Sequence, residues 1–310
     1  MSASAGSGGR SGCYRTALPI SASPPVLGAY NGRVIALNTR DSTILRRNNV
    51  KVTGRGTQPM LFAHGFGCDQ HMWRFVSPAF EENYRVILFD YVGSGRSDLR
   101  AYNAERYSDL NGYAQDILDI CAALDLEDVI LVGHSVSSMI GLLAAIKEPR
   151  RFQRLVFVSP SPRYINDAPD YFGGFERKDI EELLDTMDKN YIGWASFLAP
   201  TIMQNGDRPE LSDELRESFC STDPNIARRF AEVTFFSDNR KDLPKLTVPS
   251  LILQCSEDLI APRQVGEYLH RHVPGSTLRI MKATGHCPHM SAPEETLGLI
   301  KDYVSSPCAL

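Results

Sequence analysis

Short apolar runs recur along the chain with a regularity that predicts buried strands: Met60–Ala63, Val86–Phe89, Val129–Val132, Leu155–Val158, Leu251–Gln254 and Leu278–Met281. Helix-like spacing separates several of them. Ile117, Ile120, Cys121 and Leu124 stand at i, i+3, i+4 and i+7, one face of an amphipathic helix. Strands apolar on both faces that alternate with helices imply a mainly parallel sheet in an α/β fold. Ahead of them, Ile44–Arg47 and Val50–Thr53 flank Asn48-Asn49, a pattern that predicts an antiparallel hairpin at one edge. The alternation stops between about 160 and 247, where Ile180, Leu183, Leu184 and Met187 keep a helical period and Pro200, Pro209 and Pro224 mark breaks. That stretch is rich in aromatic residues. It is expected to form a helical cap over the sheet's carboxyl edge, where open α/β sheets bind ligands.

Composition narrows the class. The 310 residues are 43% hydrophobic and 23% charged, with a net charge of −4. Such a chain buries a core without metals or disulfides, and its mild acidity argues against nucleic acid or an anionic membrane as its main partner. No apolar run approaches the roughly 20 residues of a membrane span. Seven cysteines are scattered without regular spacing, the pattern of reduced thiols, so cytoplasm is the expected location. Residues 1–40 hold four arginines but no lysine and no acidic residue. This acid-free, Ser- and Arg-containing start can resemble a transit peptide, but is read as a disordered or mis-called extension over 1–42. The folded part is then expected over 43–304, with 305–310 as a short tail.

The chemistry concentrates in Gly133-His134-Ser135-Val136-Ser137, which follows an apolar strand and opens an apolar helix. This is the context of a nucleophile elbow, a sharp turn that lifts a serine oxygen clear of the sheet. The usual second glycine is Ser137 here, still small enough for close packing. A serine hydroxyl needs a base, and the base needs an acid to fix its tautomer. In this architecture the acid comes next along the chain and the histidine last. Asp258 follows the strand that ends in Cys255, just before the turn Leu-Ile-Ala-Pro, and is preferred to Glu257. His286 follows the last strand after a glycine and is preferred to His289. The loop His64-Gly65-Phe66-Gly67-Cys68 can bring the Phe66 amide beside that of Val136 as an oxyanion hole. His64 is expected to buttress that loop. Gly93-Ser-Gly95 lacks the ending of a phosphate loop, so Asp90 and these glycines are read as stabilising a turn. No metal and no cofactor are predicted, since His286, Cys287 and His289 lack a complementary ligand cluster.

The elbow, HGFGCDQ, FDYVGSGRSDLRAY, KNYIGWA, FCSTDP, FFSD, VPSLILQC and GHCPHMS together resemble the α/β-hydrolase family of the bacterial stress regulator RsbQ. The plant karrikin and strigolactone receptors belong to the same family. The resemblance runs over about 43–304, and Ser137 looks like the plant-receptor variant of the elbow. It implies a triad of Ser135, Asp258 and His286, oxyanion donors at Phe66 and Val136, and an apolar pocket of Phe66, Trp194, Phe197 and Phe235. It also implies either hydrolysis of a small apolar ester or lactone, or sensing of such a ligand in stress signalling with a PAS-domain serine phosphatase as partner. A stand-alone carboxylesterase or a cofactor-free perhydrolase is the alternative. Haloalkane dehalogenases and epoxide hydrolases are disfavoured because they use aspartate where this chain has Ser135.

Overall fold

The computed structural model describes residues 27–30, 33–36 and 39–306. Along the chain the elements are β1 (Leu27–Tyr30), β2 (Arg33–Ala36), α1 (Thr39–Arg47), β3 (Lys51–Thr53), β4 (Pro59–Ala63), β5 (Arg85–Leu88), α2 (Leu110–Ala123), β6 (Val129–His134), α3 (Val136–Lys147) and β7 (Phe152–Val158). Four helices follow, α4 (Arg177–Lys189), α5 (Tyr191–Met203), α6 (Pro209–Ser221) and α7 (Pro224–Phe235). The chain closes with β8 (Ser250–Glu257), α8 (Arg263–His272), β9 (Ser276–Thr284), α9 (Pro288–Ser291) and α10 (Pro293–Ser305). No helix among the described residues is long and apolar enough to cross a membrane.

β3 to β9 form one seven-stranded sheet in the order β3-β5-β4-β6-β7-β8-β9, parallel except for the antiparallel edge strand β3. All six strands expected from apolar runs are present and lie in this sheet. β4 and β6 are neighbours, but the chain leaves β4 outward to β5 before returning to β6. Their carboxyl-end loops therefore diverge, and a crevice opens between them. One face of the sheet packs on α2, α3 and α8 through Ile117, Met139, Leu142, Val265 and Leu269. The other packs on α10 and the 70–80 turns through Trp73, Phe80 and Ile300, and continues into the helices α4 to α7. Each fully buried Leu, Ile or Phe in these layers contributes about 1.5–3 kcal/mol relative to exposure.

Three expectations differ from the structure. Ile44–Arg47 is not a hairpin strand but the last turn of α1. The helix ends in a left-handed cap: Asn49 has φ +44°, and the Val50 amide reaches back to the Leu45 carbonyl at 2.9 Å. What holds α1 is tertiary, for Arg47 pairs with Asp116 and Asp119 of α2, each at 3.0 Å. Only the second half of the expected hairpin is a strand, and it pairs with β5. Pro200 does not break α5, which continues to Met203 and stops at Gln204 with φ +55°. Pro209 and Pro224 do mark helix starts, at the first position of α6 and α7, where a missing N–H costs nothing. Within the stretch 1–42, read as a disordered or mis-called extension, β1 and β2 pair antiparallel and α1 begins at Thr39. The rest of that stretch, and 307–310 of the tail, lie outside the described residues.

Candidate active site

Ser135 stands between β6 and α3 with φ +55° and ψ −123°, a conformation that costs a side-chain-bearing residue about 1–3 kcal/mol. Packing enforces it. A Cβ on Gly133 would lie 2.6 Å from the Ser137 carbonyl oxygen, so the residue two before the serine must be glycine. Two places after it the constraint is relaxed, and Ser137 uses the space. Its buried hydroxyl donates to the His64 carbonyl oxygen and lies 2.9 Å from the Tyr91 hydroxyl. The substitution for glycine thus ties the elbow to the loop after β4. His64 braces the same loop: Nδ1 donates to the Gly65 carbonyl at 2.9 Å, and Nε2 accepts the Tyr91 amide at 3.2 Å. Burial outweighs the nearby Asp90 charge and lowers the His64 pKa, which keeps the ring neutral for this role. Asp90 accepts the Gln70 and Arg96 amides, each at 2.9 Å, as expected of a turn-stabilising carboxylate.

The residues placed by chain order converge on Ser135. His286 Nε2 lies 2.7 Å from Ser135 Oγ, and His286 Nδ1 lies 2.7 Å from Asp258 Oδ2. Asp258 is locked from behind, since its Oδ1 accepts the amides of Ile260 at 2.8 Å and Ala261 at 3.0 Å. Glu257 instead ends β8 in solvent. With Nδ1–H directed to the carboxylate, Nε2 presents its lone pair to the serine proton, the arrangement of a general base. The His286 amide donates to the Ile202 carbonyl of α5 at 2.8 Å, and Asn205 Nδ2 donates to the Thr284 carbonyl at 3.2 Å. Here glycine is required: Gly285 has φ +82°, and a Cβ would meet the Met203 carbonyl oxygen at 2.1 Å.

Two amides beside the serine are available as donors. Val136 is the first residue of α3, where no intrahelical acceptor exists. The Phe66 amide has no acceptor among the described residues. Its loop lies against Ser135, for a Cβ on Gly65 would come within 3.4 Å of Ser135 Cβ.

Above Ser135 is a narrow cavity of about 30 Å³. Its lining includes Phe66, Tyr164, Ile202, Leu215, Phe219, Thr234, Phe235, Ile260, Cys68 and Cys287. Phe66 and Phe235 are among these lining residues, with ring centroids 5.9 Å apart. Trp194 is buried one layer back, 6.2 Å from the Phe66 ring, and supports the wall rather than forming it. Phe197 is a correction. It is 73% exposed on the outer face of α5, because Trp194, Ala195, Leu198, Ala199 and Ile202 occupy the buried face. Sequence reasoning also missed residues. Tyr164, whose hydroxyl lies 3.4 Å from Ser135 Oγ, follows β7 at the sheet's carboxyl edge, and that position is the signal that marks it. Thr234, Phe219, Leu215 and Ile202 lie on cap helices, and no local pattern singles them out.

Two neighbouring histidines stay out of the chemistry. His134 donates from Nε2 to the His286 carbonyl at 2.8 Å, and burial together with neighbouring His289 and His286 pushes its pKa well down. His289 packs against Trp73 with tilted rings, centroids 4.6 Å apart, and has no hydrogen-bond partner among the described residues. Burial lowers its pKa to about 3, so it is a neutral packing residue and not a rival base. A wider open cleft of about 710 Å³ between α2 and α7 contains Asp109, Arg229 and Asp238 but neither Ser135 nor His286.

A buried serine on a strained strand-to-helix turn, facing an oriented histidine and a carboxylate from later strands, defines an α/β-hydrolase type of site. Residues 60–299 match the Alpha/beta hydrolase family, and the chain belongs to it. It is 39% identical over 265 residues to the Karrikin insensitive 2 receptor CA of Petunia hybrida, covering 85% of this chain and 97% of that protein. It is 38% identical to the Strigolactone esterase D14 of Arabidopsis thaliana, covering 81% of this chain and 94% of that one. Among solved structures, a hydrolase from Oleispira antarctica superposes with a TM-score of 0.85 at 46% identity, over 86% of this chain and 98% of that one.

Proposed function

We propose that the protein is a serine hydrolase of small, largely apolar carboxylic esters or lactones. One observation carries the reading: an unbroken hydrogen-bond chain from Asp258 through His286 to Ser135, set beneath an aromatic cavity. In the reaction Ser135 Oγ attacks the ester carbonyl while its proton passes to His286 Nε2. Asp258 holds the imidazole in the correct tautomer and steadies the imidazolium that forms. The negative charge on the former carbonyl oxygen is taken up by the Phe66 and Val136 amides, an arrangement in which one donor is worth about 10²–10³ in rate. His286 then returns the proton to the departing alcohol, or to the ring oxygen of a lactone. Water, deprotonated by the same base, releases the acid and restores Ser135.

A sensing role belongs to the same proposal. It is supported by relatives that are named receptors as well as esterases. The pairing with a PAS-domain serine phosphatase is carried by the segment resemblance to the RsbQ group alone. The hydrolase reading is tested by Ser135→Ala with p-nitrophenyl acetate. The expected result is loss of enzymatic turnover while the folded state is retained by circular dichroism. Turnover undiminished in that variant overturns the assignment of the nucleophile.

A further inference from the structure

Thr234 sits on α7, is 1% exposed and lines the cavity above Ser135. A threonine within a helix ordinarily returns its hydroxyl to the carbonyl four residues back. Thr43, Thr186, Thr201 and Thr296 all do so, at 2.8, 2.8, 3.2 and 3.0 Å. Thr234 does not. Its Oγ1 is buried and has no hydrogen-bond partner among the described residues. A buried hydroxyl without a partner is costly, and polar groups left in this state commonly mark a site completed by something else. The surrounding wall is mostly apolar, with Phe66, Phe219, Phe235, Leu215 and Ile202, and its polar side chains Ser135, His286 and Tyr164 make no hydrogen bond to Thr234 Oγ1.

We propose that the Thr234 hydroxyl is the ligand anchor of the cavity, donating a hydrogen bond to an oxygen that the ligand carries in addition to its reacting carbonyl. This rests on the reading of the cavity as an ester pocket and deepens it. The ligand is then a small apolar ester or lactone with a second acceptor oxygen, an ether or a carbonyl. Its apolar carbon packs on the phenylalanine rings, and the anchor sets which end of the molecule meets Ser135. A purely hydrocarbon acyl group leaves Thr234 unpaired and loses the difference.

The test compares p-nitrophenyl esters that differ only by oxygen for methylene: methoxyacetate against butyrate, and 3-methoxypropanoate against pentanoate, each normalised to its hydroxide-catalysed rate. For at least one pair the wild type is expected to favour the oxygen member in kcat/KM by about 3–30-fold. Thr234→Val, nearly isosteric, removes that preference, and Thr234→Ser keeps it. Thr234→Val is also expected to leave Tm unchanged or raised, because the hydroxyl it removes has no partner to lose. A fall of several degrees overturns the proposal, as does a Thr234→Val effect that is equal for both members of every pair. If Ser135→Ala hydrolyses the esters as fast as wild type, the hydrolase reading fails, and the anchor is judged by binding alone. In that case the methoxy esters should raise the Tm of Ser135→Ala more than their carbon counterparts do. Equal shifts, or a difference that persists in Ser135→Ala/Thr234→Val, overturn the anchor.

Discussion

Ser137→Ala removes a hydroxyl that joins two loops otherwise separate in the chain. In the folded protein it donates to the His64 carbonyl and pairs with the Tyr91 hydroxyl at 2.9 Å, and Tyr91 is fully buried. The alanine fits the space, so the loss is polar rather than steric. It leaves a buried phenol and a buried carbonyl without this partner, each costing about 1–3 kcal/mol, or about 2–4 kcal/mol together after partial relaxation. At about 2–4 °C per kcal/mol for a domain of this size, Tm should fall by about 4–16 °C. Tyr91→Phe in the same background should recover part of the loss, since it deletes the stranded phenol, and the cycle should show coupling of about 1 kcal/mol or more. Because the bridge ends on the residue before Gly65-Phe66, kcat should also fall, by up to about 10², while KM stays near the wild-type value. Thermal and urea denaturation of the four proteins, with p-nitrophenyl acetate kinetics on each, checks both halves. A Tm within about 1 °C of wild type, together with additive double-mutant energies, refutes the bridge.

Acidification gives a second expectation. In the unfolded chain His289 takes up a proton near its ordinary value of 6.5, but in the folded chain burial delays this to about pH 3. Between those limits the unfolded state binds more protons, so stability is whole above about pH 6.5 and falls as the pH drops toward 3, by up to about 1.4 kcal/mol per pH unit for one such group. His289→Phe should flatten the urea-denaturation profile between about pH 6.5 and 4, and an equally steep profile in the variant refutes the attribution. The two cap phenylalanines should separate cleanly in steady-state kinetics. Phe197→Ser, on the solvent face, should leave kcat/KM within about twofold of wild type, whereas Phe235→Ala, in the cavity wall, should lower it by about tenfold or more. The reverse order would contradict the placement of the two rings.

The sheet could be read from the chain because its strands are buried on both faces. Continuous apolar runs such as Met60–Ala63 or Leu251–Gln254 are too short for a core helix and too apolar for a surface loop. Ser135, Asp258 and His286 could be read because each lies just beyond a strand, where topology fixes its place. The helix α1 was not readable for the opposite reason. Ile44 and Leu45 make a weak apolar signal, and the helix depends on Arg47 meeting Asp116 and Asp119, about 70 residues onward in the sequence. Phe197 shows a different limit. Family position placed it in the pocket, yet the i, i+4 spacing of Trp194, Leu198 and Ile202, with Ala195 and Ala199 alongside, already puts it on the far side of the helix. Thr234 could not have been found in this way. What distinguishes it is a hydrogen bond that its helix does not make, and that is a property of three-dimensional surroundings.

The junction between α5 and the His286 loop bears on how this protein can be re-engineered. The Ile202 carbonyl holds the His286 amide, Asn205 holds the Thr284 carbonyl, and Arg208 holds the Ser291 carbonyl at 2.8 Å. A cap exchanged for that of a relative at the convenient boundaries, after β7 and before β8, would inherit a foreign partner for the His286 loop. Chimeras that transplant 202–208 together with 284–291 keep the seam intact, and the two segments are a single unit of inheritance although some 80 residues separate them in sequence.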